Sequence, residues 1–285
     1  MNTSTPIRRG LGITAGIDPR VARDLAVRCD HLGYHSLWSN DEPASPGLEM
    51  LAQFAGGAPQ LELGVGVLPI DRHQPAHIAA EIDRLGLDPT RLWIGVGSGQ
   101  LRAPIDTMRR AVAELRDLLP DRTRIVVAAM RPRMCQLGGA IADGVLLNWM
   151  PPAQAAEARG WVQRGASEAG RATPIVAAYI RVGVGPDSLR RLQAEERKYR
   201  NINEAHQQHF NAMNVSLGSV GVAAATRTEV LRKFAHTTPR STCRSYGSSQ
   251  TPTRPLWTPR QLPPPPNSHC GAPRQLRPDR RLTAP

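Results

Sequence analysis

Along residues 10–234, short apolar runs alternate with longer segments whose apolar positions recur at helical spacing. The strand-like runs are Leu11–Ala15, Ser36–Ser39, Leu61–Leu68, Leu92–Val96, Ile125–Ala129, Gly144–Leu147 and Ile175–Val184. Helical segments with readable ends lie between them. Asp18 is a good N-cap, Pro19 suits the first helical position and Gly33 suits the C-terminal stop. Val21, Leu25, Cys29 and Leu32 fall on one face of that helix. Pro104 opens a second helix with Ile105, Met108, Val112 and Leu115 as its stripe, and Pro152 opens a third that ends at Gly170. A helix is also expected from near Pro46.

Strands alternating with helices predict a parallel sheet, either open and doubly wound or closed as a barrel. The strand starts recur at about the period of a βα unit, which favours an α/β fold of the (β/α)8 TIM-type barrel kind. Seven units are visible. The eighth strand and helix should follow Val230–Phe234, where the pattern stops, so the barrel is expected to lack its eighth unit.

Composition changes at the same place. Residues 231–285 hold ten Arg or Lys against one Asp, a net of +9. The remaining 26 basic and 23 acidic residues leave the body at +3, out of +12 for the chain. The tail also holds 11 of the 26 prolines, including Pro263–Pro266, and its large apolar residues stand alone. Such a segment cannot bury enough surface to offset its ordering entropy. The expected organisation is a barrel domain over 1–234 and a Pro/Arg/Ser-rich disordered tail over 235–285. Only Lys198 and Lys233 are lysine among 36 basic residues, a bias that GC-rich coding sequence read in a shifted frame would produce. The tail has no aromatic interleaving and no recognition helix, so nucleic acid is not expected as a partner.

Two classes of function drop out. No stretch approaches bilayer length, and Met1–Arg9 carries no apolar signal core, which predicts a cytoplasmic protein without membrane partners. Cys29, Cys135, Cys243 and Cys270 are scattered without a CxxC, so neither a zinc site nor a disulfide framework is expected.

In a (β/α) barrel, chemistry gathers at the C-terminal ends of the strands. That rule selects Asn40, Asp41 and Glu42 after strand two, and Gly66–Pro69 on strand three. It selects Gly97–Gln100 after strand four, Met130–Pro132 after five, Asn148 and Trp149 after six, and Tyr179 and Arg181 on seven. The run Gly95-Val-Gly97-Ser-Gly99 falls short of a dinucleotide fingerprint, because Gln100 stands where the spacing needs to continue toward a third glycine. Asp41 could equally cap the helix near Pro46, and Arg72 and His73 could bind helix ends or carboxylates. Asp143, before Gly144, reads as a turn residue, and His206 and His209 read as solvated positions on a polar helix.

Three stretches together resemble a known family. They are Leu32-Gly-Tyr-His-Ser-Leu-Trp-Ser-Asn-Asp41; Leu63-Gly-Val-Gly-Val-Leu-Pro-Ile-Asp-Arg72-His73-Gln-Pro75 running on to Arg91–Gly99; and Ala128-Ala-Met-Arg-Pro132 followed by Ala142-Asp143-Gly144. They resemble the luciferase-like monooxygenases and coenzyme F-420-dependent oxidoreductases. The resemblance implies a nonprolyl cis peptide at Gly66–Val67 behind the cofactor ring, with Ser98, Gly99 and Gln100 beside it. It implies that Met130 and Arg131 hold the cofactor phosphate region, that Asp41 is a catalytic residue near the ring edge, and that the protein forms a homodimer. Glu42 departs from the His that deazaflavin-dependent relatives often carry there, and Gln100 departs from a common Glu. The resulting expectation is an oxidoreductase moving a hydride between the deazaflavin F-420 and a small organic substrate. An FMN-dependent monooxygenase and a truncated, non-catalytic barrel stay open as alternatives.

Overall fold

A computed structural model of the chain describes residues 9–237. Its first half repeats one unit: β1 (Gly10–Ile13), α1 (Pro19–His31), β2 (Ser36–Ser39), α2 (Gly47–Ala55), β3 (Glu62–Pro69), α3 (Pro75–Arg84) and β4 (Leu92–Gly97). The repeat continues through α4 (Pro104–Leu118), β5 (Arg124–Ala129), α5 (Pro132–Ile141), β6 (Gly144–Asn148), α6 (Pro152–Glu168) and β7 (Ile175–Tyr179). Beyond it lie β8 (Val182–Val184), α7 (Ser188–Arg200), α8 (Glu204–Met213), β9 (Val222–Ala224) and α9 (Arg227–Thr237). Strands β1 to β7 form one seven-stranded sheet in sequence order, every pair parallel. This is the expected (β/α) barrel, with no strand closing the gap between β7 and β1 among the described residues.

Neighbouring residues of one strand join different clusters, as a two-residue side-chain period demands. Leu92, Ile94, Ile125 and Val127 pack outward with the helices. Trp38, Trp93, Val126, Leu146 and Ala177 pack inward, with Val67 and Tyr179 against them. Two indoles and a phenol fit this interior only because glycines make room. A Cβ on Gly64 would overlap the Trp38 indole, and one on Gly12 would come within 2.6 Å of the Tyr179 ring. Tyr179 therefore reaches from the last strand of the sheet to the first. At the opposite, N-terminal end of the strands, Glu62 accepts a hydrogen bond from Trp93 Nε1 at 2.9 Å and pairs with Arg124, which lies over the same indole.

The ends of α1 follow the sequence. Asp18 accepts from the Arg20 amide at 2.7 Å, and Gly33 follows the helix with φ +69°. Of the expected face, Cys29 is buried and Leu25 and Leu32 pack against the core, but Val21 is 56% exposed, and Ala22 and Ala26 point inward in its place. Small side chains let α1 approach closely: a Cβ on Gly57 would lie 2.5 Å from the Arg23 carbonyl. The α4 stripe is buried as Met108, Ala111, Val112 and Leu115. Cys29 and Cys135 are free and buried, and burial pushes both thiols up to about 12.

The run Ile175–Val184 is not one strand. The chain leaves the barrel after Tyr179, and Arg181 turns to stack over the Trp149 ring at 4.4 Å and to bond the Asn148 side chain. Strand β8 then pairs in parallel with β9, in a small separate sheet. Helix α9 runs past the boundary drawn at Phe234. The expected disorder of the tail, and its Cys243 and Cys270, lie outside the described residues. No helix among those residues is long and apolar enough to cross a membrane.

Helices α5 and α6 meet almost backbone to backbone. A Cβ on Gly165 would collide with the Gln136 carbonyl, and one on Gly139 with the Val162 carbonyl. Gly165→Ala is expected to cost about 1–3 kcal/mol through overpacking. Urea denaturation would measure it, and an unchanged midpoint would refute the close crossing.

Candidate active site

A cavity of about 860 Å³ opens at the C-terminal ends of the strands. That is within the roughly 300–1,000 Å³ typical of small-molecule sites. Its floor is made by an irregularity in β3. Val65 pairs with Ile94 and Leu68 with Val96, so β3 carries one residue more than β4 between those pairs. The extra length holds Gly66 and Val67, joined by a cis peptide bond. Both are half-buried and face the cavity, whereas Leu68 is buried. The space that a Cβ on Gly66 would take belongs to the Tyr179 hydroxyl, 2.5 Å away, and a Cβ on Gly97 would come within 2.8 Å of Val67. With Ala128 and Ala129 at the end of β5, no large side chain stands over this floor from β3, β4 or β5.

One wall is the loop after β4. Gly99 has φ +55°, and the Asp71 carboxylate sits against it, accepting from the Gln100 amide at 2.8 Å. A side chain at residue 99 would meet both a strained backbone and that carboxylate. The opposite wall is the start of α5. Arg131 is its N-cap residue and Pro132 its first helical residue, and no side chain caps the helix. Its first amides and the positive end of its dipole are thus turned to the cavity beside the exposed Arg131 and Arg133. Arg131 also bonds the Gln208 side chain.

Asp41 stands at the cavity edge with its side chain 3% exposed. Oδ1 accepts from the Gly47 amide at 3.0 Å, at the start of α2. Oδ2 accepts from Arg72 at 3.1 Å and from the His73 ring at 2.8 Å. Both readings raised from sequence thus describe the same carboxylate: it caps a helix and binds the Arg72–His73 pair. Glu42 points elsewhere, and hydrogen bonds donated by Asn40 and Thr14 hold its carboxyl below the usual range.

The barrel mouth is covered by α7, α8 and the turn between them, which contribute Tyr199, Ile202, Ala205 and His206 to the cavity. Trp149, with φ +52°, is buried beneath them against Tyr199 and Phe210 and does not line the cavity.

The chain matches the family model described as luciferase-like monooxygenase over residues 1–121 and 107–243. It belongs to the luciferase-like family. Solved structures with the same fold include an F-420-dependent secondary alcohol dehydrogenase in complex with an F-420–acetone adduct. That chain is 16% identical, with a TM-score of 0.66 over 82% of this chain and 90% of that one. The coenzyme F-420-dependent tetrahydromethanopterin reductase from Methanopyrus kandleri shares 16% identity, with a TM-score of 0.56 over 82% and 90%. The oxygenating constituent of 3,6-diketocamphane monooxygenase from Pseudomonas putida, in complex with FMN, shares 13% identity with a TM-score of 0.56 over 82% and 88%. Luciferase-like proteins are oxidoreductases and monooxygenases, and at these identities the neighbours establish the shared fold.

For this luciferase-like chain, Glu42, Leu68 and Trp149, selected as strand ends, do not line the cavity, but all eight residues given site roles by the resemblance do. They are Asp41, Gly66, Val67, Ser98, Gly99, Gln100, Met130 and Arg131. Tyr179 and Arg181 lie beneath it or beside it. Asp143 accepts from the Ile125 amide and pairs with Arg116, a structural role at the far side of the strands. The two histidines of α8 are not solvated positions. His209 is 4% exposed and donates to the Trp149 carbonyl at 3.1 Å, and His206 is half-buried on the cavity wall. The sequence did carry a signal for this: Asn203 stands three residues before His206, the N-cap spacing that fixes where α8 begins.

Two outcomes follow. Asp41→Asn places an amide where Arg72 and His73 need an acceptor, and should cost about 1.5–3 kcal/mol by denaturant titration. A second concerns acid. Burial holds both His206 and His209 below the ordinary 6.5, so the folded chain binds fewer protons than the unfolded one. Their stabilising contribution is present above that value and lost as pH falls through the folded-state values. The melting temperature should therefore drop as pH falls below 6.5. His209→Gln should flatten that slope.

Proposed function

We propose that this chain is a luciferase-like oxidoreductase that binds the deazaflavin coenzyme F-420 and transfers a hydride between it and a small organic substrate. The observation that carries the reading is the pairing of the Gly66–Val67 floor with the uncapped N-terminus of α5 on one cavity. The β-strand residues around the floor are small, which suits a planar ring. The helix start with Arg131 suits a phosphate, through backbone amides and a charge-assisted bond. F-420 carries carboxylates beyond its phosphate and FMN does not, and Arg131 and Arg133 together offer two exposed cations for a polyanionic tail. When bound, the deazaflavin supplies hydride transfer at a ring carbon.

The protein's own residues supply placement. Gly66 and Val67, which face the cavity from the floor, would back the ring. Ser98, Gly99 and Gln100 line the ring's side, with the turn held by Asp71. Met130 and Arg131 hold the phosphate region. Asp41 acts as a positioning residue, fixing Arg72 and His73 at the rim. The FMN reading draws on the same floor and the same helix start, and one titration separates the two.

Fluorescence titration of purified full-length protein with oxidised F-420, and separately with FMN, tests the reading. Saturable binding of F-420 with weaker or no FMN binding is expected, and Arg131→Ala should weaken F-420 at least several-fold. Preference for FMN would move the assignment to a flavin-dependent monooxygenase. Binding of neither by folded protein would leave a truncated, non-catalytic barrel.

A further inference from the structure

Within α7 and α8, one side chain has a chemical state that its neighbours dictate. Asn203 is the N-cap of α8, and its Oδ1 accepts from the His206 amide at 2.9 Å. A backbone N–H can only donate, so the side-chain atom facing it is oxygen, and the usual ambiguity of an asparagine amide is removed. The other end of the amide agrees, since Nδ2 donates to Gln100 Oε1 at 3.1 Å. The same Oδ1 lies 2.8 Å from His206 Nδ1. An oxygen without hydrogen cannot donate, so Nδ1 must carry the proton. In the neutral ring the lone pair is then on Nε2, which has no protein partner among the described residues.

The ring stands on the cavity wall. Its neighbours are the Tyr199 ring at 6.3 Å on α7 and His209 on its own helix. The charged groups facing the same cavity are Asp41, Asp71, Arg72, Arg131 and Arg133. Asp41 accepts from Gly47, Arg72 and His73, and Asp71 accepts from the Gln100 amide.

We propose that His206 is the proton-accepting catalytic residue of this site, acting on an alcohol substrate, and that Asn203 is its positioning residue. The inference rests on the deazaflavin reading. In the oxidation direction the substrate O–H proton passes to Nε2, and the hydride on the same carbon passes to the oxidised deazaflavin. The O–H and C–H bonds break and the carbonyl bond forms. The substrate loses two electrons with the hydride, and the imidazolium later releases its proton to water. Burial, followed by the neighbouring His209, holds His206 below its ordinary value, which keeps it an acceptor at neutral pH.

Long-range 15N–1H NMR of histidine-labelled full-length protein, without cofactor, reads the tautomer directly, with His206→Gln assigning the signal among eight histidines. The expected result is a neutral ring protonated at Nδ1 that titrates below its ordinary value. Asn203→Asp keeps the cap but adds a charge, and should raise the His206 midpoint by about one to three pH units. With F-420 and cyclohexanol as the probe alcohol, His206→Gln should bind F-420 as the parent does. Its kcat should fall by about 10²–10⁴-fold, and the limb of the pH profile that follows His206 should disappear. A ring protonated at Nε2 would overturn the inference. So would a variant that binds F-420 and turns over at the parental rate, or a parent that binds F-420 but oxidises no alcohol. Failure of the parent to bind F-420 at all would instead overturn the deazaflavin reading beneath it.

Discussion

The interior of this barrel is filled from its open side. Tyr179, at the end of β7, lies against Gly12 of β1 and places its hydroxyl beneath Gly66. A parallel sheet that stops at seven strands leaves two edges, and an empty seam between them would forfeit dispersion contacts and admit water beside two buried indoles. One phenol ring spans part of that seam and also supports the floor of the cavity. Burial raises the Tyr179 hydroxyl above its usual range, in keeping with a neutral group that fills space. Gly66 is small because the phenol is below it, and the extra residue in β3 directs the backbone upward because Val67 has to clear Gly95 and Gly97.

The sequence carried the barrel through local signals. Asp18, Pro19 and Gly33 delimit α1 by capping chemistry that acts within a few residues. The strands β2 to β6 are near-continuous apolar runs because both faces are covered. The candidate site was legible for the same reason: in a barrel, position at a strand end is a topological fact, and the strand ends could be counted. What failed were features set by packing partners. The inward face of α1 takes Ala22 and Ala26 rather than the larger Val21, because the crossing is close and only small side chains fit. Strand seven was read as running to Val184 because apolar periodicity does not register that Arg181 has a stacked indole to reach.

The cover over the mouth was the largest omission. Helices α7 and α8 are polar along most of their length, and His206 and His209 therefore read as solvated. Their buried contacts are few and distant in sequence: Phe210 and Tyr199 against Trp149, and His209 on the Trp149 carbonyl. Trp149 has a positive φ at the end of β6, which carries its ring under the cover rather than into the cavity. A single aromatic residue on the barrel thus anchors the helices above it, and the polar faces of those helices are left for water and ligand.

The same insertion has an evolutionary reading. Helices α7 and α8 join the barrel through the short β8–β9 pair, while the floor, the β4 loop and the α5 start all belong to the repeating units. Residues of the floor and residues of the cover are therefore encoded in separate stretches of the gene, so the roof of this house can be altered without touching its foundations.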